Sequence, residues 1–187
     1  MNATSKIRTL LASLLLCSQL ALGEQINYPG KPELKRYADE YYGVSIDFPA
    51  SWVTEAPERN EIWLSQGQVR NISGICFVRV SEVEGLHLVK PAEYFAQTDE
   101  AKFQKITSLS MPDIKVHLFD MAYLSDRPSR RIVYSGTDSG IKTGNVIYQT
   151  LDGDRIFTVG CLSEVGKFNL IYNDFEAVIA SFYIEER

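Results

Sequence analysis

The sequence predicts an α+β domain, an antiparallel β-sheet with a mid-chain helix and a C-terminal helix packed on it. Three observations predict it. Short stretches in which apolar and polar residues alternate recur along the chain, the period of half-buried strands. A segment opened by Pro91 has helical propensity and divides those strands into two groups. The chain from Gly144 onward reads as strand, turn, strand and then an apolar stripe at helical spacing.

That stripe is the firmest local feature. Phe168, Ile171, Phe175, Val178, Ile179 and Phe182 recur at steps of three and four, which places them on one face of an α-helix. Asn169, Asn173, Asp174 and Glu176 largely take the other face, and Gly166 marks the entrance. In the strand before it, Phe157, Val159 and Cys161 point one way. Asp152-Gly153 is expected to form a type I′ hairpin turn, whose two central residues need positive φ.

Upstream, Tyr42, Val44, Ile46 and Phe48 alternate with Gly43, Ser45 and Asp47, and Pro49 ends that strand. Trp52 and Val53 are expected to return the chain to the core. Strands over 61–67 and 74–83 follow, the second with Cys76, Val78 and Val80 on one face. Pro91 sits where a helix starts without losing a hydrogen bond, and one helix carrying Phe95, Phe103 and Ile106 is expected there. Pro112 closes that connection. The strands around VHLFDMAYLSD, SRRIVYSGTD and 145–151 then lead to the one ending at Cys161. Arg127-Pro128-Ser129 and Asp138-Ser139-Gly140 are read as their connections, short enough for an antiparallel meander.

The 187 residues, 45% hydrophobic and 23% charged, suit one globular domain with a true core. Residues 1–23 read as a signal peptide, with Lys6 and Arg8 before an apolar run and small residues at Ala21 and Gly23. The expected location is therefore exported, periplasmic or secreted. The apolar run is short for a bilayer, so no transmembrane span is expected in the mature chain. Cys17 follows Leu16, where lipoprotein processing wants a small residue. Residues 24–40, polar with two prolines, are read as a flexible lead-in and 41–187 as the single domain. Losing Lys6 and Arg8 with the leader leaves 17 basic against 24 acidic residues, a net charge of −7. That excess argues against a nucleic-acid partner, which needs a basic face.

The segment YGVSIDFPASWV, an aromatic–glycine–hydrophobic strand running into a proline and a tryptophan, resembles the opening of the PsbP-like fold. The ending IASFYI is similar to the close of that fold's C-terminal helix, and the resemblance spans about residues 40–185. It covers the PsbP subunit of photosystem II and DcrB-like exported bacterial proteins. The resemblance implies a binding or assembly role rather than catalysis, with a protein or envelope component as partner. It carries over no functional residue, because the matched positions are packing positions.

Among chemistry-bearing residues, His87 and His117 are the histidines, each a candidate base for a small secreted hydrolase or ligand-binding enzyme with acidic partners. That is the alternative to an exported, non-catalytic binding module. Asp152 and Asp154 lack the spacing of a calcium loop and are read as turn residues, so neither metal nor cofactor is expected. Arg127, Arg130 and Arg131 form a basic cluster with two readings, a solvated hairpin end or a partner contact. Cys76 and Cys161 are the two cysteines of the mature chain. They leave two readings open, a disulfide or separate buried thiols.

Overall fold

A computed structural model of the protein describes residues 33–58, 60–66 and 74–185. The expected signal peptide at 1–23, and residues 24–32 of the expected lead-in, lie outside these. The strands are β1 (Leu34–Asp39), β2 (Val44–Pro49), β3 (Trp52–Glu58), β4 (Glu61–Gln66) and β5 (Ile75–Glu82). Helices α1 (Pro91–Ala96) and α2 (Glu100–Thr107) follow, then β6 (Lys115–Leu124), β7 (Arg127–Asp138), β8 (Ile141–Asp152) and β9 (Arg155–Glu164). Helix α3 (Val165–Ala180) and a short β10 (Tyr183–Ile184) complete the order.

Alternating residues make the strands, and hairpin chemistry fixes their order. β6 through β9 form the expected meander and continue into β5, β4 and β3, giving a seven-stranded antiparallel sheet in the order β3-β4-β5-β9-β8-β7-β6. A second sheet, β1-β2-β10, has three strands. Leu34–Asp39, read from sequence as part of a flexible lead-in, is therefore a strand, paired with β2 along its whole length. A polar edge strand shows no apolar alternation to betray it.

Turn chemistry also differs in detail. Arg127-Pro128-Ser129 lies inside β7, and the turn before it is Ser125-Asp126, both at positive φ. In the next hairpin Ser139 and Gly140 take positive φ. At the third, the central residues are Gly153 and Asp154, one position later than expected, and of these Gly153 alone has positive φ. The mid-chain helix is two helices. Asp99 interrupts it by accepting a hydrogen bond from the Lys102 N–H at 2.7 Å, an N-cap that starts α2 afresh. Phe103 of α2 packs on Phe119 and Tyr134, while Ile106 stays exposed.

The core lies between one face of the large sheet and α3 with β2. Phe168, Ile171, Phe175, Val178 and Ile179 are all buried, and Phe182 is buried just beyond the helix end. Phe168 lies so close over Gly144 that a Cβ there would come within 2.6 Å of the ring, which explains glycine at that strand position. Trp52 is buried, but Val53 points out. Cys76 and Cys161 face each other directly across β5 and β9, fully buried, and are joined by a disulfide.

Candidate functional site: the open flank of helix α3

Register places one cross-strand row on the core face of the sheet: Ile62, Val78, Val159, Tyr148, Arg131 and Asp120. The row is apolar under α3 and polar beyond it. Arg131 holds Asp120 through two parallel hydrogen bonds of 2.6 and 3.0 Å, the fork geometry that suits guanidinium to carboxylate. That bond pulls the Asp120 carboxyl below its ordinary range and pushes the Arg131 guanidinium up. On the helix side, the Tyr148 hydroxyl donates to Glu176 at 2.9 Å. Burial, then the Glu176 charge, raises the Tyr148 phenol to about 12, and burial with the Glu176 hydrogen bond raises Tyr172 as well. Both phenols are neutral donors at any physiological pH. Asp120, Arg131, Tyr148, Tyr172 and Glu176 thus line the joint between α3 and the β6–β7 end of the sheet.

A cavity opens at each end of this line. One, of about 330 Å³, is bounded by Leu124, Ser125, Glu176, Phe182 and two outward tyrosines, Tyr123 and Tyr183. Tyr123 is 74% exposed and Tyr183 49%. They are held near each other because the Ser125 hydroxyl accepts the Ile184 N–H at 2.8 Å, tying the β6–β7 turn to β10. The other cavity, of about 670 Å³, is lined by His117, Ser135, Lys115, Lys142, Val133 and Phe168, among others. Beside both runs β6, the terminal strand of the large sheet, with no partner strand on its outer edge among the described residues.

The residues singled out from sequence fall in three places. His117, at a bulge in β6, enters the larger cavity, its Nε2 2.8 Å from the Ser135 hydroxyl. His87 sits on an exposed turn far along the sheet, its Nδ1 2.6 Å from Asp154, which also accepts the His87 N–H. That interaction holds the Asp154 carboxyl below its ordinary range. Of the arginine cluster, Arg131 belongs to the flank, Arg127 reaches the Ser125 carbonyl and Asp152, and Arg130 donates to the Phe95 carbonyl at 2.7 Å over the Phe119 ring. All three guanidiniums thus have intramolecular partners. Sequence reasoning missed Asp120, Tyr148, Tyr172 and Glu176. In the sequence Glu176 reads only as part of the polar face of the helix, and Asp120 and Tyr148 come near it through strand register.

No family model and no curated protein matches the chain. Solved structures do. Cyanobacterial PsbP (CyanoP) from Synechocystis sp. PCC 6803 superposes with a TM-score of 0.59 at 13% identity, over 84% of this chain and 96% of its own. That decides the architecture. The fold is PsbP-like. LpqN, involved in cell envelope biogenesis of Mycobacterium tuberculosis, shares this PsbP-like fold at a TM-score of 0.60 and 10% identity, over 82% and 91% of the two chains. A Pseudomonas aeruginosa protein of unknown function, PA94, matches at 0.55 and 8% identity, over 83% and 98%. Among the described residues no helix is long and apolar enough to cross a membrane.

Proposed function

We propose that this chain is an exported, non-catalytic module of the cell envelope that acts through protein–protein contact, and that the contact surface is the open flank of α3. The observation that carries the reading is the pair of outward tyrosines, Tyr123 and Tyr183, at the mouth of a concave site whose floor is buried core. Tyrosines at the rim of a pocket supply large contact area with little entropy to lose, which is why they anchor interfaces. The free edge of β6 alongside offers backbone donors and acceptors to an extended segment. The envelope role of LpqN, a protein of the same fold, and the signal-peptide pattern of residues 1–23 support the location. Of the arginine cluster, Arg131 stands in the Tyr148–Asp120 row of this flank and Arg127 donates to the Ser125 carbonyl at its mouth.

The test is site-specific photo-crosslinking in cells, with the reactive group at position 123 or 183 and, as control, at Leu170, exposed on α3 away from the flank. Adducts of one defined mass from 123 and 183, identified by mass spectrometry and missing from 170, support the reading. Equal adducts from all three positions, or none from 123 and 183, overturn it.

One observation favours the alternative of a small secreted hydrolase: the His117–Ser135 pair inside the larger cavity. A hydroxyl nucleophile with an adjacent imidazole needs a third group to orient the ring. Asp113 lines the same cavity, but its carboxylate oxygens accept from the Thr137 N–H at 2.6 Å and hydroxyl at 2.8 Å. Ester hydrolysis by the exported protein that is abolished in Ser135→Ala would establish this reading in place of the first.

A further inference from the structure

The larger cavity has a composition that the protein-contact surface does not need. About 670 Å³ lies within the range of small-molecule sites. Its apolar lining comes from Val133 of β7 and, on α3, from Val165 and the Phe168 ring that lies over Gly144. The strands add Lys115, Lys142 and His117 to the lining, and α3 adds Asn169. A single acid, Asp113, lines it, held low in pKa first by the Thr137 backbone N–H and already bonded through both oxygens. Glu164, next to the α3 entrance, is 3.1 Å from Lys167. Cations therefore outnumber acids around this mouth, in a chain whose net charge is −5.

We propose that this cavity binds a soluble amphipathic anion, an apolar body carrying one acidic head group. The body lies against Phe168, Val133 and Val165, and the head group meets Lys115 and Lys142. His117 and Ser135 form a hydrogen-bonded pair in the same lining, from which an N–H or O–H can donate to a head-group oxygen. Each part is familiar recognition chemistry: an apolar wall supplies affinity, and a few convergent polar groups set orientation. Two lysine contacts at a partly open site are each modest, so the selectivity lies in having charge and apolar wall side by side. The inference does not depend on the protein-contact reading, since it concerns the opposite end of the flank and a different class of ligand.

The experiment is a titration of the exported protein with decanoate, followed by backbone amide shifts in two-dimensional nuclear magnetic resonance. Decanol and decyltrimethylammonium serve as the neutral and cationic counterparts. The expected result is saturable movement of His117, Ser135, Lys142 and Asn169 with decanoate, weaker with decanol and absent with the cation. Lys115→Ala/Lys142→Ala should weaken the decanoate response about tenfold, the sum of two screened contacts, whereas Lys115→Arg/Lys142→Arg should keep it. Both variants are at exposed positions, so an unchanged spectrum without ligand confirms their fold. Equal response to decanoate and decanol overturns the proposal, as does an unaltered response in the alanine variant. Cosedimentation with phosphatidylglycerol vesicles without saturable decanoate shifts also overturns it, because the anion recognised is then a bilayer surface.

Discussion

One face of one sheet behaves in two ways, according to whether α3 lies over it. Under the helix, the Leu64–Cys76–Cys161–Val146 row is closed by a disulfide and sealed by Phe175, whose side chain is fully buried. Toward the flank of the helix, the neighbouring row changes from Val78 and Val159, through the buried Tyr148 that bonds to Glu176 of α3, to the partly exposed Arg131 and Asp120. The strands continue through both halves, with a bulge in β6 on the uncovered side. What differs is the cover. An apolar stripe on a helix buries the rows beneath it, and the strands it fails to reach must satisfy themselves with polar pairs that water and ligands can enter. In the proposed reading, stability belongs to the covered half and recognition to the uncovered one.

The largest effect with which to challenge that division is removal of the bridge. Crosslinking residues 85 apart restricts the unfolded chain by about 4–5 kcal/mol in the loop-entropy account. Cys76→Ala/Cys161→Ala should lower the melting temperature accordingly while leaving crosslinking at Tyr123 intact below the new transition. Alkylation under denaturing, non-reducing conditions is a companion measurement. A chain cleaved after Gly23 should label no thiol, whereas one retaining Cys17 should label once. Two labelled thiols on a cleaved chain would remove the bridge from the covered half.

Next in size is Phe175→Ala. Truncating a fully buried phenylalanine at the centre of the stripe should cost about 3–5 kcal/mol, much of the roughly 5–15 kcal/mol that holds a domain. Unchanged thermal melting would mean that α3 does not seal the core. By contrast Leu170→Ser, on the same helix but exposed, should stay within about 0.5 kcal/mol of the parent.

A smaller effect sharpens the uncovered half. The Asp120 carboxyl is held below its ordinary range by Arg131, so its contribution to stability is present above the unfolded carboxyl pKa and is lost as pH falls through the folded one. The pair is partly exposed, which limits it to about 0.5–1 kcal/mol. Urea titrations should therefore show the parent and Arg131→Met differing by that amount near neutrality. The difference should shrink as pH falls below the carboxylate range. A gap that stays constant in acid would assign the arginine a packing role instead.

Much of the covered half was legible in the sequence because its signals are local. Stripe residues Phe168 to Ile179 and the Cys76 and Cys161 faces follow from periods of 3.6 and 2, and the four-strand meander, which runs on into the other half, follows from its short connections although two of its turns lie elsewhere than read. The other elements lack an apolar pattern of their own or depend on partners distant in the chain. β1 is polar and becomes a strand by pairing with β2, and β10 has two residues that pair with Ser45 and Val44. Ser125-Asp126 takes the left-handed turn that the Arg127-Pro128-Ser129 triplet was read as marking. The flank itself was hidden for the same reason. Asp120, Arg131 and Tyr148 come from three strands and meet Glu176 through register, which alternation constrains only to a choice of face.

The division between the two halves is tested most directly by the crosslink yield from a probe at position 183 in a Tyr123→Ala chain, with thermal melting of the same protein as its control. Tyr123 is largely exposed, so the substitution removes contact area at the mouth of the site and little of the core. The expected result is a clear loss of adduct at an unchanged melting temperature. An adduct that persists undiminished, or one that disappears only together with a lowered melting temperature, would contradict the assignment of recognition to the uncovered flank.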